Sequence, residues 1–177
     1  MKLTPIILTA LSAVLLSNAA LADKSAGESV DDSTTQAAVK TKLMGDDFFG
    51  GMGINIETHK GVVQLGGWID DAEAGAKAAE LAAGVEGVTS VDNQLHVKQG
   101  KASMGQTVDD TVITTRTKAA HADSALCSSL SVNVDTYNGV VLLTGFADSD
   151  EAKKACGDAT AAVANVKSVI NGINVPE

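Results

Sequence analysis

Displaced against itself by 78 residues, this chain aligns with itself without a gap. Val30-Asp31-Asp32 falls on Val108-Asp109-Asp110, and Ile54-Asn55-Ile56-Glu57-Thr58 on Val132-Asn133-Val134-Asp135-Thr136. The run from Gly61 to Asp70 falls on the run from Gly139 to Asp148. Val88, Ser90, Val91, Asn93 and Val97 fall on Val166, Ser168, Val169, Asn171 and Val175. Roughly 20 identities over roughly 70 positions at one fixed offset mark a duplicated domain, too long a unit for a solenoid element. Whatever the chain folds into is built twice from one plan. Its function must be something that a pair of small modules can perform.

Residues 1–22 stand outside that plan. Lys2 gives a positive start, Ile6 to Leu16 an apolar stretch, and Ala20-Leu21-Ala22 a small-residue cleavage signal before Asp23. This is the pattern of a secretory signal peptide cleaved after Ala22, too short for a membrane span. It points to a periplasmic location. No later stretch approaches 18 apolar residues, so no transmembrane segment is expected.

The net charge is −9, and removal of Lys2 makes the mature chain more acidic still. With that sign and no basic stripe, nucleic-acid binding is disfavoured. Only 3% of residues are aromatic, so each module must build its core from Ala, Val and Leu. Domains of that size and composition are marginally stable alone.

The repeat reads as α-β-β-α-β in each copy. Asp31 or Asp32 is expected to cap a first helix running to Met44, and Asp109 or Asp110 one running to Ala122. Ile54, Ile56 and Thr58 alternate with Asn55 and Glu57, the period of a half-buried strand, and Val132, Val134 and Thr136 repeat it. Asn138-Gly139 is a strong hairpin turn, with Lys60-Gly61 a weaker version. The return strands set Val63, Leu65, Gly67 and Ile69, or Val141, Leu143, Gly145 and Ala147, on one face. Asp70-x-x-Glu73 and Asp148-x-x-Glu151 have capping-box spacing before a second helix. Gly87 and Asn165 suit its left-handed C-terminal end. Val91, Asn93, Leu95 and Val97 form the third strand, repeated as Val169, Asn171, Ile173 and Val175. The expected class is α+β, with boundaries at 28–98 and 107–177 and a linker at 99–106.

On the opposite sheet face, Val62, Gln64 and Trp68 match Val140, Leu142 and Phe146. That is too apolar for a solvated surface, so the sheets cover each other or a partner, or bind a ligand. Cys127 and Cys156 take the slots of Phe49 and Ala78 on a common core. An even pair in an exported chain points to a disulfide, with two buried free thiols as the alternative.

The motif G-V-V-x-L-x-G-(W/F)-x-D, then an Ala-rich helix and V-x-G-V-x-x-V-x-N-x-(L/I)-x-V, resembles the BON domain. Gly61 to Gly67 and Val85 to Asn93 carry the match in copy one. Gly139 to Gly145 and Val163 to Asn171 carry it in copy two, where Asn165 departs from the usual Gly. The resemblance implies tandem modules, each with a three-stranded mixed sheet and two helices on one face. It also implies a non-enzymatic envelope-stress protein that binds phospholipid surfaces, or a chaperone for exported proteins. A third possibility is a small-ligand or ion binder, because one relative looks like a potassium sensor.

No catalytic or metal-binding constellation stands out, and no cofactor is expected. His59, His96 and His121 share no spacing and none recurs between copies. For contact with envelope phospholipids or unfolded clients the candidates are Phe48, Phe49 and Met52, Trp68 and Phe146, and Lys153 and Lys154, with Lys40, Lys42 and Lys118 on the first helices. Core filling by Phe48 and Phe49, and a solvated face for the lysines, are the competing readings.

Overall fold

The computed structural model describes residues 24–46, 49, 53–128 and 130–176; the expected signal peptide, Phe48 and Met52 lie outside them. Module one runs α1 (Lys24–Met44), β1 (Asn55–His59), β2 (Val62–Ile69), α2 (Ala72–Ala83) and β3 (Ser90–Val97). Module two repeats it as α3 (Met104–Asp123), β4 (Val132–Tyr137), β5 (Val140–Gly145), α4 (Asp150–Ala161) and β6 (Ser168–Asn171). Each sheet has the hairpin's return strand in the middle, antiparallel to its first strand and parallel to its third. A parallel neighbour needs a helical crossover, which α2 and α4 supply.

Both helices of a module pack on one face of its sheet. In module one Val39, Leu43, Ala74, Ala78 and Ala82 close over Val63, Leu65 and Ile69, with Val91, Leu95 and Val97 at the margin. The third strand also uses its inward asparagines. Asn93 donates to the Gly75 carbonyl and Asn171 to the Lys153 carbonyl, tying strand to helix at the same point twice. Gly67 and Gly145 have φ of +138° and +130°. A Cβ at either would run into the carbonyl oxygen of Gly53 or Ser131, so the close passage of the preceding loop demands glycine there.

The caps differ from the expectation. α2 is capped by Asp71, whose carboxylate accepts from the Ala74 N–H at 2.8 Å, and α4 by Ser149, which accepts from Ala152 N–H. The N-cap must have extended backbone and reach an N–H three residues on. Asp71 and Ser149 meet that condition, one position after Asp70 and Asp148. Asp70 instead pairs with Lys98 at 3.0 Å. Glu73 and Glu151 sit in the first helical turns, where negative charge suits the helix dipole. Asp109 and Asp110 do not cap α3 either. Ser103 and Gln106 form a reciprocal capping box that starts this helix inside the expected linker. α1 likewise begins well before Asp31 and Asp32. The last strand is shorter than expected: pairing of β6 stops at Asn171 and resumes as a bridge from Phe146 to Asn174, with Gly172 at the break.

The helix-free faces of the two sheets pack on each other, giving four layers in the order α, β, β, α. Gln64, Leu142 and Thr144 are buried in the seam. Gln64 is fully satisfied there, donating to Asp92 and the Gly172 carbonyl and accepting from Gly145 N–H. Mutual coverage explains the excess apolar character of that face.

Candidate functional site

The aspartates that failed as caps hold the hairpins. Asp110 accepts from the N–H groups of Asn138 at 2.8 Å and Gly139 at 2.7 Å. Asp32 does the same for Lys60 at 2.7 Å and Gly61 at 2.8 Å. The turn residues are left-handed, with φ of +49° and +76° at Lys60 and Gly61 and +51° and +81° at Asn138 and Gly139. Asn accepts that conformation readily and Lys does not. The charge-assisted pair from Asp32 therefore offsets a less favourable turn. Beside each clamp lies an open cleft, about 640 Å³ in module one and about 450 Å³ in module two.

The expected contact residues scatter. Phe49 is 5% exposed and sits in the module-one core, over which the Lys77 ammonium lies 5.7 Å from the ring centroid. Trp68 is in the seam, 5.6 Å from the Tyr137 ring and donating to the Asp135 carbonyl at 3.4 Å. Phe146 faces His59 across the same seam at 5.3 Å. Lys154 is paired within α4 to Asp158, while Lys153 lines a polar cavity with Asp92, Gln94 and Asn174. Cys127 and Cys156 are joined, with Cα atoms 5.3 Å apart. His96 lies tilted against Trp68, with ring centroids 5.9 Å apart, and His121 is buried against Thr160. Burial holds the His121 imidazole below its ordinary pKa. Among the described residues no cluster of three or more His, Cys, Asp or Glu side chains could hold a metal, and no helix is long and apolar enough to cross a membrane.

A different surface stands out. α3 buries Asp110, Ile113, Thr117 and His121. Its opposite side carries Met104, Val108, Thr111, Val112, Thr115, Ala119 and Ala122, all exposed and all uncharged. Met104 is 89% exposed, Val108 63% and Val112 39%. Arg116 and Lys118 flank the middle of this face, with Asp109 and Asp123 towards its ends. The sequence carried the signal, since apolar residues at positions 104, 108 and 112 recur every four. A helix start placed at Asp109 or Asp110 leaves Met104 in the linker and breaks the row.

Two stretches, 31–99 and 109–177, match the family model of the BON domain. The chain belongs to the BON-domain family. Its tandem BON modules are 34% identical over 174 residues to osmotically-inducible protein Y of Escherichia coli, covering 92% of this chain and 87% of that one. They are 34% identical over 154 residues to the 21 kDa hemolysin of Actinobacillus pleuropneumoniae, covering 86% and 76%. Identity to the outer membrane lipoprotein DolP of Haemophilus influenzae is 30% over 148 residues, covering 83% and 76%. BON motifs are structural glycines and core valines, so membership defines the fold and leaves activity to be argued from surfaces.

Proposed function

We propose that this BON pair is a non-enzymatic envelope-stress protein of the periplasm that docks on phospholipid surfaces through α3. The carrying observation is the exposed, uncharged face of Met104, Val108 and Val112, flanked by Arg116 and Lys118. Such a helix can lie in a membrane interface with its apolar side down and its cations near lipid phosphates. The export signal and the similarity to an osmotically inducible protein and an outer membrane lipoprotein support the envelope setting. Partial burial of three such side chains contributes about 2–4 kcal/mol. Each nearby cation adds about 1 kcal/mol at an anionic surface. The net negative charge opposes this, so docking is weak and reversible. The chaperone reading loses its main surface, because the apolar sheet faces cover each other.

Flotation with anionic and neutral liposomes at low and high salt tests the proposal. The full chain should float with anionic vesicles and lose only part of its binding at high salt. Val108→Asp should abolish flotation with the fold intact. No flotation of the wild-type chain, or unchanged flotation of Val108→Asp, refutes it.

A further inference from the structure

The internal repeat makes the seam between the modules readable as a symmetric contact. Adding 78 to a residue number exchanges its place in module one for the matching place in module two. Asn55 donates to Asp135, and the exchanged pair, Asn133 donating to Glu57 at 3.0 Å, is also present. Trp68 lies over Tyr137, and the exchanged pair, Phe146 over His59, is present too. Contacts that occur in such reciprocal pairs define an isologous interface, the arrangement of a two-fold dimer. Here it joins two halves of one chain.

Two contacts exchange into themselves and therefore sit on the axis. One is Gly66 against Thr144: a Cβ at Gly66 would stand 2.5 Å from Thr144 Oγ1 and 2.7 Å from its Cγ2. The other is Gly172 against Gln94, where a Cβ would stand 2.8 Å from Gln94 Oε1. At each point one module supplies a side chain and the other supplies none. The reciprocal amide–carboxylate pairs do not discriminate, because Asn55 would suit a second Glu57 and Asn133 a second Asp135. The axial ones do. Two module-two faces would drive Thr144 into Thr144, and two module-one faces Gln94 into Gln94. Thr is stiff at χ1 and cannot swing away. Gln94 is longer and more adaptable, though its amide is held by Asp92 at 2.8 Å.

We propose that the helix-free face of module one is a docking surface keyed to module two, with Thr144 entering the space left by Gly66 and Gln94 that left by Gly172, and that each face rejects a second copy of itself. Two chains can then associate through these faces only by exchanging modules, not by stacking like on like.

Trp68 is the only tryptophan and lies in the seam, so its emission in the full chain reports whether the faces are docked. Gly66→Thr should shift that emission to the red and lower the Tm while helix content by circular dichroism is kept. Exchanging the key, Gly66→Thr with Thr144→Gly, should recover at least half of both losses. Should Gly66→Thr fail to fold at all, a folded exchange variant with native emission supports the proposal and an unfolded one overturns it. Thr144→Val is the shape control. The Thr144 hydroxyl finds no hydrogen-bond partner among the described residues, so its removal should leave Tm and emission unchanged or raise Tm. Unshifted emission in Gly66→Thr, additive losses in the exchange variant, or a Thr144→Val loss as large as that of Gly66→Thr would each overturn the keyed contact.

Discussion

Five equivalent core positions separate the modules most clearly. Module one fills them with Val39, Leu43, Phe49, Ala78 and Ala82; module two has Thr117, His121, Cys127, Cys156 and Thr160. All ten are at most 7% exposed. The backbone plan is the same, but the means of holding the first helix to the second are not. Module one relies on apolar burial. Module two uses a disulfide and a hydrogen-bonded chain, in which His121 Nε2 lies 2.8 Å from Thr160 Oγ1 and Thr160 donates to the Cys156 carbonyl at 2.7 Å. Buried polar atoms are tolerated when they are bonded to one another. A duplicated fold can thus be stabilised in one copy by conditions to which the other is indifferent, namely an oxidising compartment and a pH that keeps an imidazole neutral.

The comparison can be broken most forcefully at its aromatic centre. Phe49→Ala should destabilise the chain by about 3–5 kcal/mol in urea unfolding, the range for truncating a buried ring. Loss of the disulfide, as Cys127→Ala with Cys156→Ala, should cost about 3–4 kcal/mol, since the closed loop spans 29 residues. Reductant should reproduce that loss in the wild-type chain and leave the double variant unchanged. Asp110→Ala should cost about 2–3 kcal/mol by releasing two turn N–H groups, and Asp32→Ala less, because Asp110 is buried and Asp32 is only partly so. Faster amide exchange at Gly139 and Gly61, respectively, would confirm the site of damage.

Titration provides the subtler tests. The folded protein holds His121 below its usual pKa, so the unfolded chain binds more protons as pH falls through the ordinary histidine range. Stability should therefore drop on acidification from about pH 7. His121→Leu, which restores the module-one residue, should flatten that slope in a series of thermal melts. Asp135 acts with the opposite sign. Burial in the seam raises its carboxyl pKa, against the attraction of Lys118 and the hydrogen bond from Asn55. The folded state then binds the proton more tightly, so stability falls slightly as pH rises from the ordinary carboxylate range to the raised value. Asp135→Asn should remove that small fall.

The elements were largely legible in the sequence because each depends on neighbours a few residues apart. Alternation at Ile54–Thr58, the Asn138-Gly139 turn and the alanine stripe of α2 each prescribe local geometry. The cap positions were missed by one residue because Asp70 and Asp71, or Asp148 and Ser149, are adjacent and similar in chemistry. Only the backbone angles at Asp71 and Ser149 decide which side chain faces the helix. The exposed row on α3 becomes continuous only once the Ser103–Gln106 capping box sets the helix start within 99–106, the stretch whose composition reads as a linker.

What the sequence determined by itself was the duplication, the α-β-β-α-β order and the slots that Cys127 and Cys156 share with Phe49 and Ala78, all consequences of periodicity and of one fixed offset. Only the tertiary structure decided what the aspartates, aromatics and glycines were for. Asp32 and Asp110 became hairpin clamps, Trp68 and Phe146 seam residues, and Gly66 the space for Thr144. Those roles join positions 28 to 87 residues apart, and no local pattern encodes which distant groups will meet when two sheets close on each other.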